Sequence, residues 1–222
     1  MRKAEALVNG GELGRVRHLF ISDAPECANT DGEAFSRLIM GTCTTLQSLT
    51  VVLHHTPMMI SILGRVFRMH FPQLVELNID SFYPFPGRPD HFPKLHTLHL
   101  GGVRNPNGLL QAQCLASFPS LDTIGIHGVN SAPAFAKEVE EVLSCAPGEA
   151  LPKNAVELIV GYTPFVATRQ KVPAALKHEK MLEILEGAAS RGCGRLKIQV
   201  VEEKADRGAD VVRRDWEKRW SC

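Results

Sequence analysis

The chain has 222 residues, enough for one large domain or two small ones, and 44% of them are hydrophobic, which suffices for a substantial core and excludes a disordered segment. Lys plus Arg number 25 and Asp plus Glu 24, a net charge of +1, so neither nucleic acid nor a membrane surface is expected as a partner through a general basic field. No apolar run reaches the ~20 residues of a membrane helix, the N-terminus lacks the apolar stretch of a secretion signal, and the expected location is intracellular, cytoplasmic or nuclear.

Residues 1–12 read as a tail. The first alternating segment is Val16-Arg17-His18-Leu19-Phe20-Ile21, followed by apolar residues at helical spacing, Phe35, Leu38 and Ile39. A second strand pattern, Leu46-Gln47-Ser48-Leu49-Thr50-Val51, leads past Thr56-Pro57, a capping residue before a proline suited to a first helical turn, into Met59, Leu63 and Val66. Phe-Pro-x-Leu then occurs three times, as Phe71-Pro72-Gln73-Leu74, Phe92-Pro93-Lys94-Leu95 and Phe118-Pro119-Ser120-Leu121, each running into L-x-x-L-x-L. Between the first two copies, Pro84, Pro86, Gly87 and Pro89 predict an extended loop instead of a helix. After the second copy, Asn105-Pro106 opens a helix carrying Leu110, Cys114 and Leu115; after the third, Ser131-Ala132-Pro133 opens one carrying Phe135, Val139, Val142 and Leu143. Weaker units follow at Ala155 to Val160 and Cys193 to Ile198, separated by a helix with Met181, Leu182 and Leu185.

In L-x-x-L-x-L the fourth and sixth positions share one face of a strand, and the first turns inward where the chain enters it. A strand followed by a returning helix, repeated, makes the strands parallel and in sequence order. The expected architecture is one α/β domain over the whole chain, with about seven irregular units within residues 13–200. Residues 205–222 form an amphipathic helix with Val212, Trp216 and Trp220 at i, i+4 and i+8, expected to cap the exposed apolar edge of the last unit.

The L-x-x-L-x-L units resemble leucine-rich repeats over roughly residues 13–200. That resemblance implies a solenoid with parallel strands on its concave face and helices and extended loops on its convex face. The Phe-Pro-x-Leu lead-ins, the irregular unit lengths and Asp210-Val211-Val212-Arg213-Arg214-Asp215-Trp216 are similar to the C-terminal repeat region of fungal F-box-like proteins. The resemblance implies a substrate-receptor ancestry in cullin-type ubiquitin ligases. An F-box needs several tens of helical residues ahead of the repeats, and the first strand begins near Val16, so no F-box and no contact with a cullin adaptor is expected. Leu151-Pro152-Lys153-Asn154-Ala155 faintly resembles an F-box opening but falls at a strand position.

The third, fifth and seventh positions of each unit face outward and form three rows across the sheet. From these rows the candidate protein-binding residues are His18, Phe20, Thr50, Glu76, Asn78, Asp80, Thr97, His99, Thr123 and His127, with an acidic spot at Glu76 and Asp80 and imidazoles at His99 and His127. The last unit contributes Arg195, Lys197 and Gln199 to these rows. Such a face suits a target carrying Lys or Arg.

Catalytic, metal and cofactor sites are not expected. His99, His127 and Asp80 form the one loose trio that neighbouring strands bring together, and zinc wants three or four well-supported ligands. The six cysteines (Cys27, Cys43, Cys114, Cys145, Cys193 and Cys222) form no Cys-x-x-Cys pair, which argues against a disulfide framework or a zinc ribbon. Cys114, Cys145 and Cys193 read as buried small hydrophobes or helix-end residues. Gly101-Gly102 and His127-Gly128 are glycine turns after strands, without a phosphate-loop spacing. They carry the alternative reading, a doubly wound α/β enzyme with a site at the strand ends. The outward Glu76, Asn78, Thr97, His99 and Thr123 favour a sheet with one polar face, and so a non-catalytic protein-binding module.

Overall fold

The computed structural model describes residues 12–22, 32–53, 63–81, 90–110, 118–145, 149, 151–165, 172–191, 196–203 and 209–220. Seven strands, β1 (His18–Ser22), β2 (Ser48–Val52), β3 (Glu76–Asp80), β4 (Thr97–Gly101), β5 (Thr123–Val129), β6 (Glu157–Tyr162) and β7 (Lys197–Glu202), form one all-parallel sheet in the order of the sequence. Between and after them lie α1 (Gly32–Thr42), α2 (Pro133–Ser144), α3 (Val172–Arg191) and α4 (Ala209–Trp220), with a 3-10 turn at Glu12–Arg15. The fold is α/β, as the repeat pattern predicts. The strand order never reverses, whereas a doubly wound sheet has a reversal at its switch point.

The repeat has a local cause. In Phe-Pro-x-Leu the phenylalanine carbonyl accepts a hydrogen bond from the leucine amide three residues on, at 3.4 Å for Phe71 and 3.3 Å for both Phe92 and Phe118. Proline in the second position presets the backbone for this turn. Leu13 to Val16 and Pro152 to Ala155 make the same bond without the Phe-Pro pair, so Leu151 to Ala155 is a strand lead-in like the others. The three phenylalanines are fully buried and line up along the molecule, Phe92 stacking on Phe71 and tilting against Phe118, each at 5.5 Å. Through the first five units the second-position carbonyl receives two amides of the next: Arg17 from Gln47 and Ser48, Gln47 from Val75 and Glu76, Val75 from His96 and Thr97, His96 from Asp122 and Thr123, Asp122 from Val156 and Glu157.

Strand alternation puts Leu49, Val51, Leu77, Ile79, Leu98, Leu100, Ile124, Ile126, Leu158 and Val160 on one face, all fully buried. Against that face pack Phe35 and Ile39 of α1, Phe135, Val139 and Val142 of α2, and Met181 and Leu185 of α3, in one continuous core. The proline at the first position of α2 matches its sequence signal, although Ala132 ahead of it supplies no side-chain cap. Met59, Cys114, Leu115, Cys193, Thr56-Pro57, the proline-rich segment around Pro86 and residues 1–11 lie outside the described residues.

Two expectations need correction. Register runs His18, Ser48, Glu76, Thr97, Thr123, Glu157, Lys197, so the last unit begins two residues later than its sequence suggests, and Lys197 instead of Arg195 stands beside Glu157. A shift of two preserves the alternation, which is why Leu196 and Ile198 keep their inward facing while the row changes. The second correction concerns α4. It packs on β1, at the opposite edge of the sheet from β7.

Candidate binding face and its covering helix

The face opposite the core carries the predicted rows. Phe20, Thr50, Asn78, His99, Gly125, Ile159 and Gln199 lie side by side, flanked by the row from His18 to Lys197. Its two halves differ. Over β1 to β3 it is covered by α4; over β4 to β7 Thr97, His99, Thr123, Glu157 and Ile159 are half-buried.

The covered half follows from the sequence of β1. Phe20 and the imidazole of His18 give this outer face an aromatic surface that an edge strand does not usually show to water. The α4 stripe meets it: Trp216 tilts onto Phe20 at 5.7 Å and Trp220 stacks flat on His18 at 3.8 Å. Arg219, on the same side of the helix, donates to Glu76 Oε1 at 2.7 Å. Val212 is buried, and a shallow crevice bounded by Thr50, Glu76, Asn78, Val212, Asp215, Trp216 and Arg219 runs between helix and sheet. Thr50, expected as a solvent-facing recognition residue, is therefore 1% exposed. Beneath the helix His18 Nδ1, Ser48 Oγ, Thr50 Oγ1 and Trp216 Nε1 are buried without a hydrogen-bond partner. Burial lowers the pKa of His18 below its ordinary value, with the Glu76 carboxylate opposing.

On the half that α4 leaves open, His99 and His127 come together as the strand spacing predicts, and a third residue that the sequence did not point to joins them. His127 Nε2 lies 3.0 Å from His99 Nδ1, and His127 Nδ1 lies 2.6 Å from Glu203 Oε1. The other Glu203 oxygen accepts from the Gly128 amide at 2.9 Å. An ionised carboxylate only accepts, so His127 Nδ1 carries a proton, and with neutral rings its Nε2 accepts from His99 Nδ1–H. Glycines make room for this chain. A Cβ at Gly125 would collide with His99 Nδ1 and stand 2.8 Å from His127 Nε2, and one at Gly161 would collide with Glu203. Gly128 takes a positive φ of 72° where β5 breaks register with β6, and its amide is the one that Glu203 accepts from.

Asp80 does not join the histidines as a third ligand; it packs beside Gly101, whose missing Cβ leaves it space. Among the described residues no group of three His, Cys, Asp or Glu is arranged to hold a metal. Cys145 is exposed at the end of α2, contrary to the buried reading. Two buried groups carried no sequence signal. Glu138 on α2 accepts from the Gly108 and Leu110 amides, both at 2.7 Å, and pins the loop after β4. His178 on α3 accepts from the Ser131 amide at 3.4 Å, where Ser131 holds a φ of 50°. Burial lowers the pKa of His178, with Glu179 opposing.

No family model, no curated protein and no solved structure matches this chain.

Proposed function

We propose that the chain is a leucine-rich-repeat solenoid acting as a non-catalytic protein-binding module, with the outer, concave face of its sheet as the recognition surface. The observation that carries this reading is the occupancy of that face by a helix: α4 lays Trp216, Trp220 and Arg219 on Phe20, His18 and Glu76. A face that accepts one amphipathic helix has the shape and chemistry to accept polypeptide. Sequential strand order and the repeated lead-in turn support the solenoid reading over a doubly wound one. The likeness to F-box-like repeat regions makes a substrate-receptor-like role in ubiquitin ligation the natural context, with the target held by the repeats.

The test is affinity capture of the tagged chain from its native cell extract, with Thr97→Arg/Thr123→Arg as the control. Both residues lie on the uncovered half, side by side in register. A protein captured by the native chain and lost from the double variant supports the reading. Equal recovery from both baits, or no recovery from either, counts against it.

A second reading has one observation in its favour. The Glu203, His127, His99 chain orders an imidazole pair with a carboxylate, the way a general base is held. Turnover of a chromogenic ester panel that His99→Gln abolishes would replace the non-catalytic reading.

A further inference from the structure

We propose that the outer face of β1 to β3 is a docking groove for an amphipathic helix of a partner protein, and that α4 is its intramolecular surrogate, displaced when the partner binds. This rests on the binding-module reading and narrows it to a partner class. The partner helix carries two aromatic residues four positions apart, an arginine beside the second, and a hydroxyl or carboxamide side chain directed at the sheet.

The aromatic and basic requirements follow from what α4 places on the face. Trp216 and Trp220 fill the surface made by Phe20 and His18, and Arg219 bonds Glu76, a carboxylate only 15% exposed at its side chain. The requirement for a polar side chain follows from what α4 leaves undone. The described residues contain five buried side-chain N or O atoms without a hydrogen-bond partner, and four of them, His18 Nδ1, Ser48 Oγ, Thr50 Oγ1 and Trp216 Nε1, lie in this one contact. A permanent helix–sheet interior normally satisfies such groups, because an unpaired buried donor or acceptor costs free energy. The α4 stripe sets apolar Val212 and the Trp216 ring beside Thr50, and Ser48 lies next to His18, on which the Trp220 ring stacks. A helix offering a hydrogen-bonding side chain there satisfies what α4 cannot, and so outcompetes it.

Tethering explains how so imperfect a contact persists. A covalently linked segment acts at an effective concentration on the order of millimolar. Weak intrinsic docking therefore keeps the face covered until a better-matched helix arrives. Trp220 remains 36% exposed at the rim, a position from which displacement can begin.

The probe is a fluorescein-labelled peptide of residues 207–222, titrated by fluorescence anisotropy into the full chain and into full-length Trp216→Ala/Trp220→Ala, whose own helix has lost its grip. The peptide is expected to bind the double variant at least tenfold more tightly than the native chain. Adding Phe20→Lys to the double variant is expected to abolish that binding. Circular dichroism melts accompany each titration. If the double variant does not unfold cooperatively, Arg219→Glu replaces it, since it opposes Glu76 while leaving the aromatic stripe in place. Equal weak binding to native and released chains overturns the proposal and makes α4 a fixed structural element. If the native chain sediments as a dimer that Trp216→Ala/Trp220→Ala converts to monomer, the helix serves a second copy, and the partner-helix proposal falls. Because capture in the preceding test depends on Thr97 and Thr123, loss of peptide binding with capture retained removes the surrogate and leaves the module.

Discussion

The indole of Trp220 lies flat on the imidazole of His18, 3.8 Å between centroids and 20° from parallel, and joins the end of α4 to the first residue of β1. Both tryptophans of the chain, Trp216 and Trp220, sit in this contact, so intrinsic fluorescence reads α4 docking directly.

Docking is expected to weaken in mild acid. Burial sets the pKa of His18 below 6.5, with Glu76 opposing, so the docked state prefers the neutral ring. The stabilisation is complete above 6.5 and is lost as pH falls through the lowered value, because the undocked chain takes up the proton first. The charged group acting on the ring is Glu76, whose carboxylate opposes the shift and is itself held by Arg219. His178 titrates in the same direction on burial, so global stability reports both rings. Tryptophan emission followed from pH 7.5 to 5 should shift to the red in the native chain and in His178→Gln, and stay level in His18→Gln. A shift that survives in His18→Gln assigns the effect elsewhere.

Leu98→Asp should abolish the cooperative thermal transition, because Leu98 is fully buried between Leu77 and Ile124 and an unpaired charge there has no partner. Thr97→Arg/Thr123→Arg, one residue away on the other face, should change stability by no more than about 1 kcal/mol. Denaturant melts of both settle the inside-outside assignment of β4 and β5. Comparable losses would contradict it.

Glu138→Ala should cost about 2 to 3 kcal/mol, since it leaves the Gly108 and Leu110 amides without their shared carboxylate. Glu138→Gln should cost less, retaining one acceptor while turning an NH2 group toward a donor. Urea midpoints in the order native, Gln, Ala are expected; a native-like Ala variant would show that the loop is held by other means.

Gly125→Ala should break the His99 to His127 hydrogen bond while leaving the fold intact. The added Cβ occupies the space where the two ring nitrogens meet, and these rings can rotate away, so the expected loss is below about 2 kcal/mol. Imidazole nitrogen resonances of His99 and His127 should lose their shared pattern. Gly128→Ala, at a φ of 72°, should be the costlier change, because there the backbone itself is strained.

What could be read in advance was what lies within one unit. Phe71, Phe92 and Phe118 each announce a turn that closes over three residues, and the alternation after them fixes which leucines go inside. The outer rows were legible for the same reason, through six of the seven strands. The last register slipped because a shift of two leaves the alternation unchanged, so the apolar residues of this segment fit either frame. What could not be read were contacts between distant segments. Glu203 reaches His127 across 76 positions and Arg219 reaches Glu76 across 143, separations at which no spacing rule operates. One clue to α4 was present: two tryptophans on a charged helix, and a phenylalanine and a histidine on the outward face of an edge strand, each lacking an apolar counterpart.

Within the sheet every strand bonds only to its neighbours in sequence, so an open array of this kind would fray from its two edges, each strand lost exposing the next. The bond from Arg219 to Glu76 and the stack of Trp220 on His18 turn that row into a closed circuit, in which the segment after β7 guards β1. Closing so long a loop costs little more than closing a short one, since the entropy grows only with the logarithm of its length. Opening the latch therefore does two things together: it bares a recognition face and returns β1 to the condition of an unprotected margin, from which unravelling starts.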